Sequence, residues 1–247
     1  MMQNIYDNTE FFSSYKALRE SDDNYNILLE QPAMMALLPD LKNKTVIDLG
    51  CGFGDNCKTF INLGAKRVVG MDISRNMLEM AKYKNFDKHI DYIRLPLEHL
   101  SAVNEKFDLA YSSLCFHYIK EFESLIKDVA EKLNPNGTLL FSQEHPIVTA
   151  SSGIAGYYRI DENGSKVYCL CNYQDENALR TDKWFIDGVV KYHRTFSTII
   201  NTLTDHGFII EKVVEPVPNK QALSKRKGLD KEFIKPTFLI VKATKKE

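Results

Sequence analysis

Tryptophan occurs once in this chain, and no apolar run approaches the roughly 18 residues that a bilayer-spanning helix needs, so no membrane segment is expected. The five cysteines (51, 57, 115, 169 and 171) form no CxxC pair and leave an odd count, which excludes a disulfide framework or a zinc ribbon. Free thiols in a reducing compartment are the expectation. The six histidines are scattered without ligand spacing, so no metal site is expected. Neither sign of charge dominates: 32 basic residues face 33 acidic ones, which argues against a polyanionic partner such as nucleic acid. One local basic cluster (Lys220, Lys225, Arg226, Lys227, Lys231 and Lys235) reads as a solvated loop before the last strand. The first residues lack a basic stretch followed by an apolar core, so a cytoplasmic location is expected. Monomer and homodimer both stay open.

Glycine is also sparse, at 12 residues, which makes three of them within residues 50–54 informative. The apolar run 45–49 stops at Gly50, Gly52 and Gly54, and a polar segment able to open a helix follows. That is the strand, tight turn and helix start of a doubly wound nucleotide fold. Asp72 ends a second apolar run 22 residues after Gly50, where a carboxylate accepts hydrogen bonds from ribose hydroxyls. The spacing is G-x-G-x-G rather than the G-x-G-x-x-G of dinucleotide sites, and Asp55 stands where the third dinucleotide glycine would fall. Asp48 and Asp55 bracket the turn with negative charge, unfavourable beside a pyrophosphate and favourable beside an ammonium or sulfonium. A cationic nucleoside without phosphate fits these constraints.

Hydrophobic periodicity then gives alternating strands and helices, the pattern of a mostly parallel sheet covered on both faces. Strands are expected over 45–49, 68–72, 91–95, 107–112, 138–144, 208–215 and 237–243, and helices over 55–62, 74–84, 122–133 and 195–206. The expected architecture is one doubly wound α/β domain spanning 1–247 on a seven-stranded sheet, with a helical cover at 5–38. Residues 147–194, between the fifth and sixth strands, are too long for a structureless loop and read as a β-rich cap. Two aromatic hairpins are expected in it, one turning at Glu162-Asn163-Gly164 and the other at Asp187-Gly188.

The run Ile47-Asp48-Leu49-Gly50-Cys51-Gly52-Phe53-Gly54 resembles the first motif of the class I S-adenosylmethionine-dependent methyltransferases, hydrophobic-D-x-G-x-G-x-G. The likeness extends over about residues 40–145. Leu133-Asn134-Pro135-Asn136-Gly137 is similar to the family's L-x-P-G-G turn, with Asn136 in place of the first glycine. The segment after the fourth strand (Tyr111-Ser112-Ser113-Leu114) does not resemble the Asn-Pro-Pro-aromatic motif of amino-directed DNA methyltransferases. The resemblance implies S-adenosylmethionine as cofactor, a small-molecule methyl acceptor, and this Rossmann-like fold. It implies that Gly50, Cys51, Gly52 and Gly54 approach the methionine part and ribose, that Asp48 meets the methionine ammonium, and that Asp72 binds the ribose. Ile73 and Met77 would lie near the adenine, Leu97 or Glu98 would meet its amine, and Ser112 would lie beneath the methyl donor. Tyr15 and Arg19, one helical turn apart, would cover the methionine end, although core packing and a solvated surface explain the same pair equally well.

Methyl transfer to an oxygen or nitrogen that keeps a proton needs a base near neutral pH, a role that suits histidine. Three histidines lie near the expected mouth: His145 after strand five, His117 after strand four and His193 after the second hairpin. His145 ranks first, because Glu144 or Pro146 could fix it at a strand end. Each also reads as an ordinary structural histidine. Two other readings compete, a non-catalytic cofactor-binding protein on the same fold and, further back, an NAD-dependent oxidoreductase.

Overall fold

The computed structural model describes residues 3–151 and 157–247, Tyr157 by its backbone alone. The strands are β1 Thr45–Leu49, β2 Arg67–Asp72, β3 Ile90–Arg94, β4 Phe107–Ser112, β5 Leu133–Glu144, β6 Tyr157–Ile160, β7 Lys166–Cys169, β8 Arg180–Trp184, β9 Ile186–Lys191, β10 Phe208–Val214 and β11 Phe238–Lys245. The helices are α1 Thr9–Glu20, α2 Gln31–Leu37, α3 Asp55–Asn62, α4 Arg75–Lys84, α5 Phe122–Lys132, α6 Pro146–Ala150, α7 Phe196–Asp205 and α8 Lys220–Lys225. Their starts are set locally. Asn8, Ser74, Thr195 and Asn219 each accept a backbone N–H of the first turn of α1, α4, α7 and α8, an N-cap that the helix cannot supply for itself.

The seven-stranded sheet runs β10-β11-β5-β4-β1-β2-β3, parallel throughout except for β11, which is antiparallel to both neighbours. Successive residues of each parallel strand feed opposite faces. Ile47 and Val69 pack with Ile126, Val129 and Leu203 on one face, whereas Val46 and Val68 pack with Phe60 and Cys57 on the other. The sheet grows from β1 to β3 in one direction, then resumes with β4 on the other side of β1. The crevice at the carboxyl ends of β1 and β4 is therefore the topological switch point, where ligands bind in open α/β sheets.

Two expectations are corrected. The Asn134–Gly137 turn does not precede strand five but is absorbed into it: β5 begins at Leu133, with Asn136 at φ 59° and a register shift opposite Phe107/Leu109. The second hairpin does not turn at Asp187-Gly188. Trp184 pairs with Ile186 and the reversal falls on Phe185, at φ 61°. The first hairpin turns around Gly164 as expected.

Both hairpins form two-stranded sheets separate from the main one, and buried cations tie their surroundings together. Arg180, 1% exposed, donates to the carbonyls of Ala150, Asn172, Asp175 and Ala178. Arg194 is held by the carbonyls of Ile119 and Lys120 and lies over the Phe122 ring. Arg180→Met should leave buried carbonyls without donors and cost about 2–4 kcal/mol, read as a lowered denaturant midpoint. A midpoint equal to that of the unaltered protein would show that water replaces the guanidinium.

Candidate functional site

A cavity of roughly 390 Å³ opens at the switch point. Its floor is the glycine loop. Gly50, Gly52 and Gly54 have φ of 82°, 54° and 75°, a region side chains disfavour. A Cβ on Gly50 would lie 2.6 Å from Cys115 Sγ, and one on Gly54 would collide with the Tyr92 ring. A Cβ on Gly52 would meet nothing within 4 Å and would occupy open space, so at this position the missing side chain leaves room for a ligand. The loop is tied down by Gly50 N–H and Cys51 N–H, both donating to Met71 O, and by Gly52 N–H donating to Asp72 Oδ2 at 3.0 Å.

Asp72 lines the cavity, and its other oxygen accepts Ser74 N–H at 2.8 Å. Each oxygen keeps lone-pair capacity for a hydroxyl. Burial raises this carboxyl to about 6, against the pull of the amide hydrogen bonds. Cys51, Ile73, Met77, Leu97 and Glu98 line the same cavity. Tyr15 and Arg19 also line the cavity, Arg19 held by Asn26 Oδ1 at 2.5 Å and Asp55 at 3.4 Å.

Three expected cofactor contacts are placed elsewhere. Asp48 is buried beneath the loop and does not reach the cavity wall; burial pushes its carboxyl to about 7, and its Oδ1 has no hydrogen-bond partner among the described residues. Ser112 is turned away, donating to Leu49 O, and Ser113 lines the wall in its stead. Gly54 packs on Tyr92 instead of the cavity. Asp55 faces Arg19 and Asn85, so the two acids bracketing the turn are not the charges that a ligand meets. Asp72, Glu98 and Glu144 are.

The histidines separate sharply. Both ring nitrogens of His145 are engaged, Nδ1 by Ile147 N–H as the cap of α6 and Nε2 by Glu215, and the residue does not line the cavity. His193 is likewise spent on the Thr149 hydroxyl and the Tyr173 carbonyl. His117 alone of the three lines the cavity. Its Nδ1 accepts Glu144 N–H at 3.3 Å, and its Nε2 makes no hydrogen bond to the described residues. Burial, aided by the Lys191 and Arg194 cations, holds its pKa well below the usual histidine range.

The sequence predicts a helical cover and an aromatic-rich cap but does not single out the side chains of the roof and far wall. Tyr6, Tyr118, Glu144 and Trp184 line the cavity, and Trp184 packs edge-on against Phe11 and Tyr15 of α1. Gln3 bonds both backbone groups of Val190, clipping the N-terminal segment to β9. Glu30, wholly buried, accepts from Ser113, Ser142, Asn26 and Gln31, anchoring the segment between α1 and α2 to the sheet. These contacts join residues far apart in sequence, and no local spacing signals them. The described residues include no group of three or more His, Cys, Asp or Glu side chains able to hold a metal ion. None of their helices is long and apolar enough to cross a membrane.

An open glycine, a ribose-height carboxylate and an apolar slot of Ile73, Met77 and Leu97 suit a nucleoside without pyrophosphate. Asp72→Asn should weaken S-adenosylhomocysteine by about 1.5–3 kcal/mol in calorimetry. In the unaltered protein affinity should fall as pH drops through about 6, because protonated Asp72 loses an acceptor lone pair, and the variant should lack that fall. Equal affinities with equal pH profiles would remove Asp72 from the site.

Comparison with known proteins agrees with this geometry. The family model described as "Methyltransferase domain" matches residues 47–141, from the glycine loop through most of β5. An uncharacterised protein of Haemophilus influenzae is 38% identical over 98% of this chain and 97% of its own. The crystal structure of an S-adenosylmethionine-dependent methyltransferase from Mesorhizobium loti is 36% identical, covering 92% of this chain and 100% of that one, with a TM-score of 0.81. A malonyl-[acyl-carrier protein] O-methyltransferase of Buchnera aphidicola is 28% identical over 49% of this chain, which spans 48% of that enzyme. An N-methyltransferase from Bradyrhizobium japonicum, solved with S-adenosylhomocysteine, shares the fold at 14% identity and a TM-score of 0.59. The chain belongs to the class I S-adenosylmethionine-dependent methyltransferases, with S-adenosylmethionine as its cofactor.

Proposed function

We propose that this methyltransferase transfers its methyl group to an oxygen or nitrogen of a small molecule held in the same cavity. The observation that carries the reading is continuity. One cavity runs from the nucleoside wall (Asp72, Leu97) to a second wall of His117, Tyr118, Glu144 and Trp184. Its volume lies within the usual range of small-molecule sites, about 300–1,000 Å³. Residues of the N-terminal segment and of the β8–β9 hairpin close over it, which suits an acceptor small enough to be enclosed.

When bound, the cofactor supplies a methyl group already activated by its sulfonium. The chain's share is alignment and exclusion of water. In this reading Asp72 holds the ribose hydroxyls, Gly52 gives the backbone room, and Ile73, Met77 and Leu97 sandwich the adenine beside Glu98. Tyr15 and Arg19 cover the methionine end, and Tyr6, Tyr118 and Trp184 form the acceptor's apolar walls. His117 is the histidine with a role. Because Nδ1 accepts a backbone N–H, the neutral ring carries its proton on Nε2, which makes it a hydrogen-bond donor to the acceptor instead of a base.

A labelled-methyl assay over phenols, amines and carboxylic acids tests this. At least one class should turn over, and His117→Ala should slow it about 10–100-fold with cofactor affinity within a few fold. His145→Ala should leave turnover nearly unchanged and cost about 1–2 kcal/mol of stability, from the lost helix cap and the bond to Glu215. Stoichiometric cofactor binding without turnover of any class would favour a cofactor-binding protein on this fold.

A further inference from the structure

Five buried side-chain oxygens have no hydrogen-bond partner among the described residues: Asn4 Oδ1, Asp48 Oδ1, Tyr111 Oη, Gln143 Oε1 and Glu144 Oε2. Only Glu144 among these lines the cavity. A buried carboxylate oxygen without a donor costs about 1–3 kcal/mol or more, so its retention in the native structure calls for an explanation.

The rest of Glu144 is held firmly. Its Oε1 accepts from Lys191 Nζ at 2.7 Å, and that ammonium, 7% exposed, also bonds Asp182 Oδ2 at 2.8 Å. Its backbone N–H fixes the ring of His117. Lys191 reaches from β9, so the hairpin that bears Trp184 also orients the carboxylate. Of the other nearby cations, Arg194 is spent on backbone carbonyls and Lys235 donates to the Thr237 hydroxyl. At this end the cavity is lined by Glu144, whose buried Oε2 is unpartnered among the described residues, by His117, whose Nε2 makes no hydrogen bond to them, and by the hydroxyl-bearing Tyr6 and Tyr118.

We propose that Glu144 is the group to which the methyl acceptor donates its proton, and that the acceptor group is an un-ionised hydroxyl. The inference rests on the methyltransferase reading above and names the acceptor chemistry of that site. A hydroxyl oxygen has two lone pairs, one to accept from His117 Nε2–H and one to attack the methyl carbon, while its O–H points to Glu144. A neutral amine has a single lone pair and cannot do both. A carboxylate has no proton for Glu144 and would set like charges together in a site of low polarity. In the transfer the O–H bond breaks toward Glu144, an O–CH₃ bond forms as the S–CH₃ bond breaks, and the electron pair of the latter stays on sulfur. Glu144 then returns its proton to solvent.

The test uses the full chain saturated with S-adenosylhomocysteine, titrated with 4-cyanophenol (un-ionised at neutral pH), 4-cyanobenzoate (ionised) and 4-cyanoaniline. Binding is read by the fluorescence of Trp184, the single tryptophan and part of the cavity wall. The phenol should bind about tenfold or more tighter than the benzoate and ahead of the aniline. Glu144→Gln should keep the S-adenosylhomocysteine affinity and bring phenol and benzoate to within about threefold of each other. As a check independent of any variant, 2,4-dinitrophenol, ionised at neutral pH, should bind the unaltered protein more weakly than 4-cyanophenol. Benzoate or dinitrophenolate binding as tightly as the phenol, an unchanged ratio in Glu144→Gln, or no phenol binding would each overturn the proposal. Failure of S-adenosylhomocysteine itself to bind would count instead against the methyltransferase reading.

Discussion

Three backbone amides hold the site together. Gly50 and Cys51 donate to the same carbonyl of Met71, and Gly52 donates to the Asp72 carboxylate, so the glycine loop is bonded to the end of the neighbouring parallel strand. All three loop glycines take left-handed backbone to make this possible. The consequence is geometric: the Asp72 carboxylate and the bare backbone at Gly52 are fixed relative to each other before any ligand arrives. Preorganisation of this kind lowers the ordering cost of binding.

The same carboxylate couples that floor to the roof. Asp72 accepts Ser74 N–H, the Ser74 hydroxyl donates to Asp7, and Asp7 also accepts Asn76 N–H at the start of α4. Burial pushes the Asp7 carboxyl up, but its hydrogen bonds with Ser74, Asn76, Asn4 and Arg75 together outweigh that and hold it below its ordinary value. From there the N-terminal segment runs under the β8–β9 hairpin through Gln3, Phe11 and Tyr15, and Glu30 pins its far end to Ser113 and Ser142. Cofactor floor, N-terminal cover and hairpin thus form one connected network.

What was legible in the sequence follows from the range of the signal. Strand alternation, the glycine spacing and Asp72 are local patterns, and the sheet, the loop and the strand-end Asp72 carboxylate lie where those patterns put them. Spacing says where a residue sits along a strand but not which way its side chain turns. Ser112 and Ser113 share a strand end, yet only Ser113 faces the cavity. Asp48 carries the family motif's acid but is sealed under the loop. His145 ranks first in the sequence because Glu144 or Pro146 could fix it at a strand end, yet its two nitrogens are already committed to Ile147 and Glu215. Glu144, one residue earlier, was read as a support for that histidine. Its own role depends on Lys191, 47 residues away, a distance no local pattern spans. The hairpin turn moved from Gly188 to Phe185 because cross-strand register, set by Trp184 opposite Ile186, overrode a favourable turn dipeptide.

The central claim is that the cavity above the glycine loop takes a nucleoside without pyrophosphate. Calorimetric titration of the full chain with S-adenosylhomocysteine and, separately, with NAD tests it most directly. Saturable binding of S-adenosylhomocysteine at one site per chain, with no heat from NAD and loss of binding in Gly52→Val, is the predicted result. Binding of NAD in preference to S-adenosylhomocysteine, or unaltered S-adenosylhomocysteine binding in Gly52→Val, would contradict it.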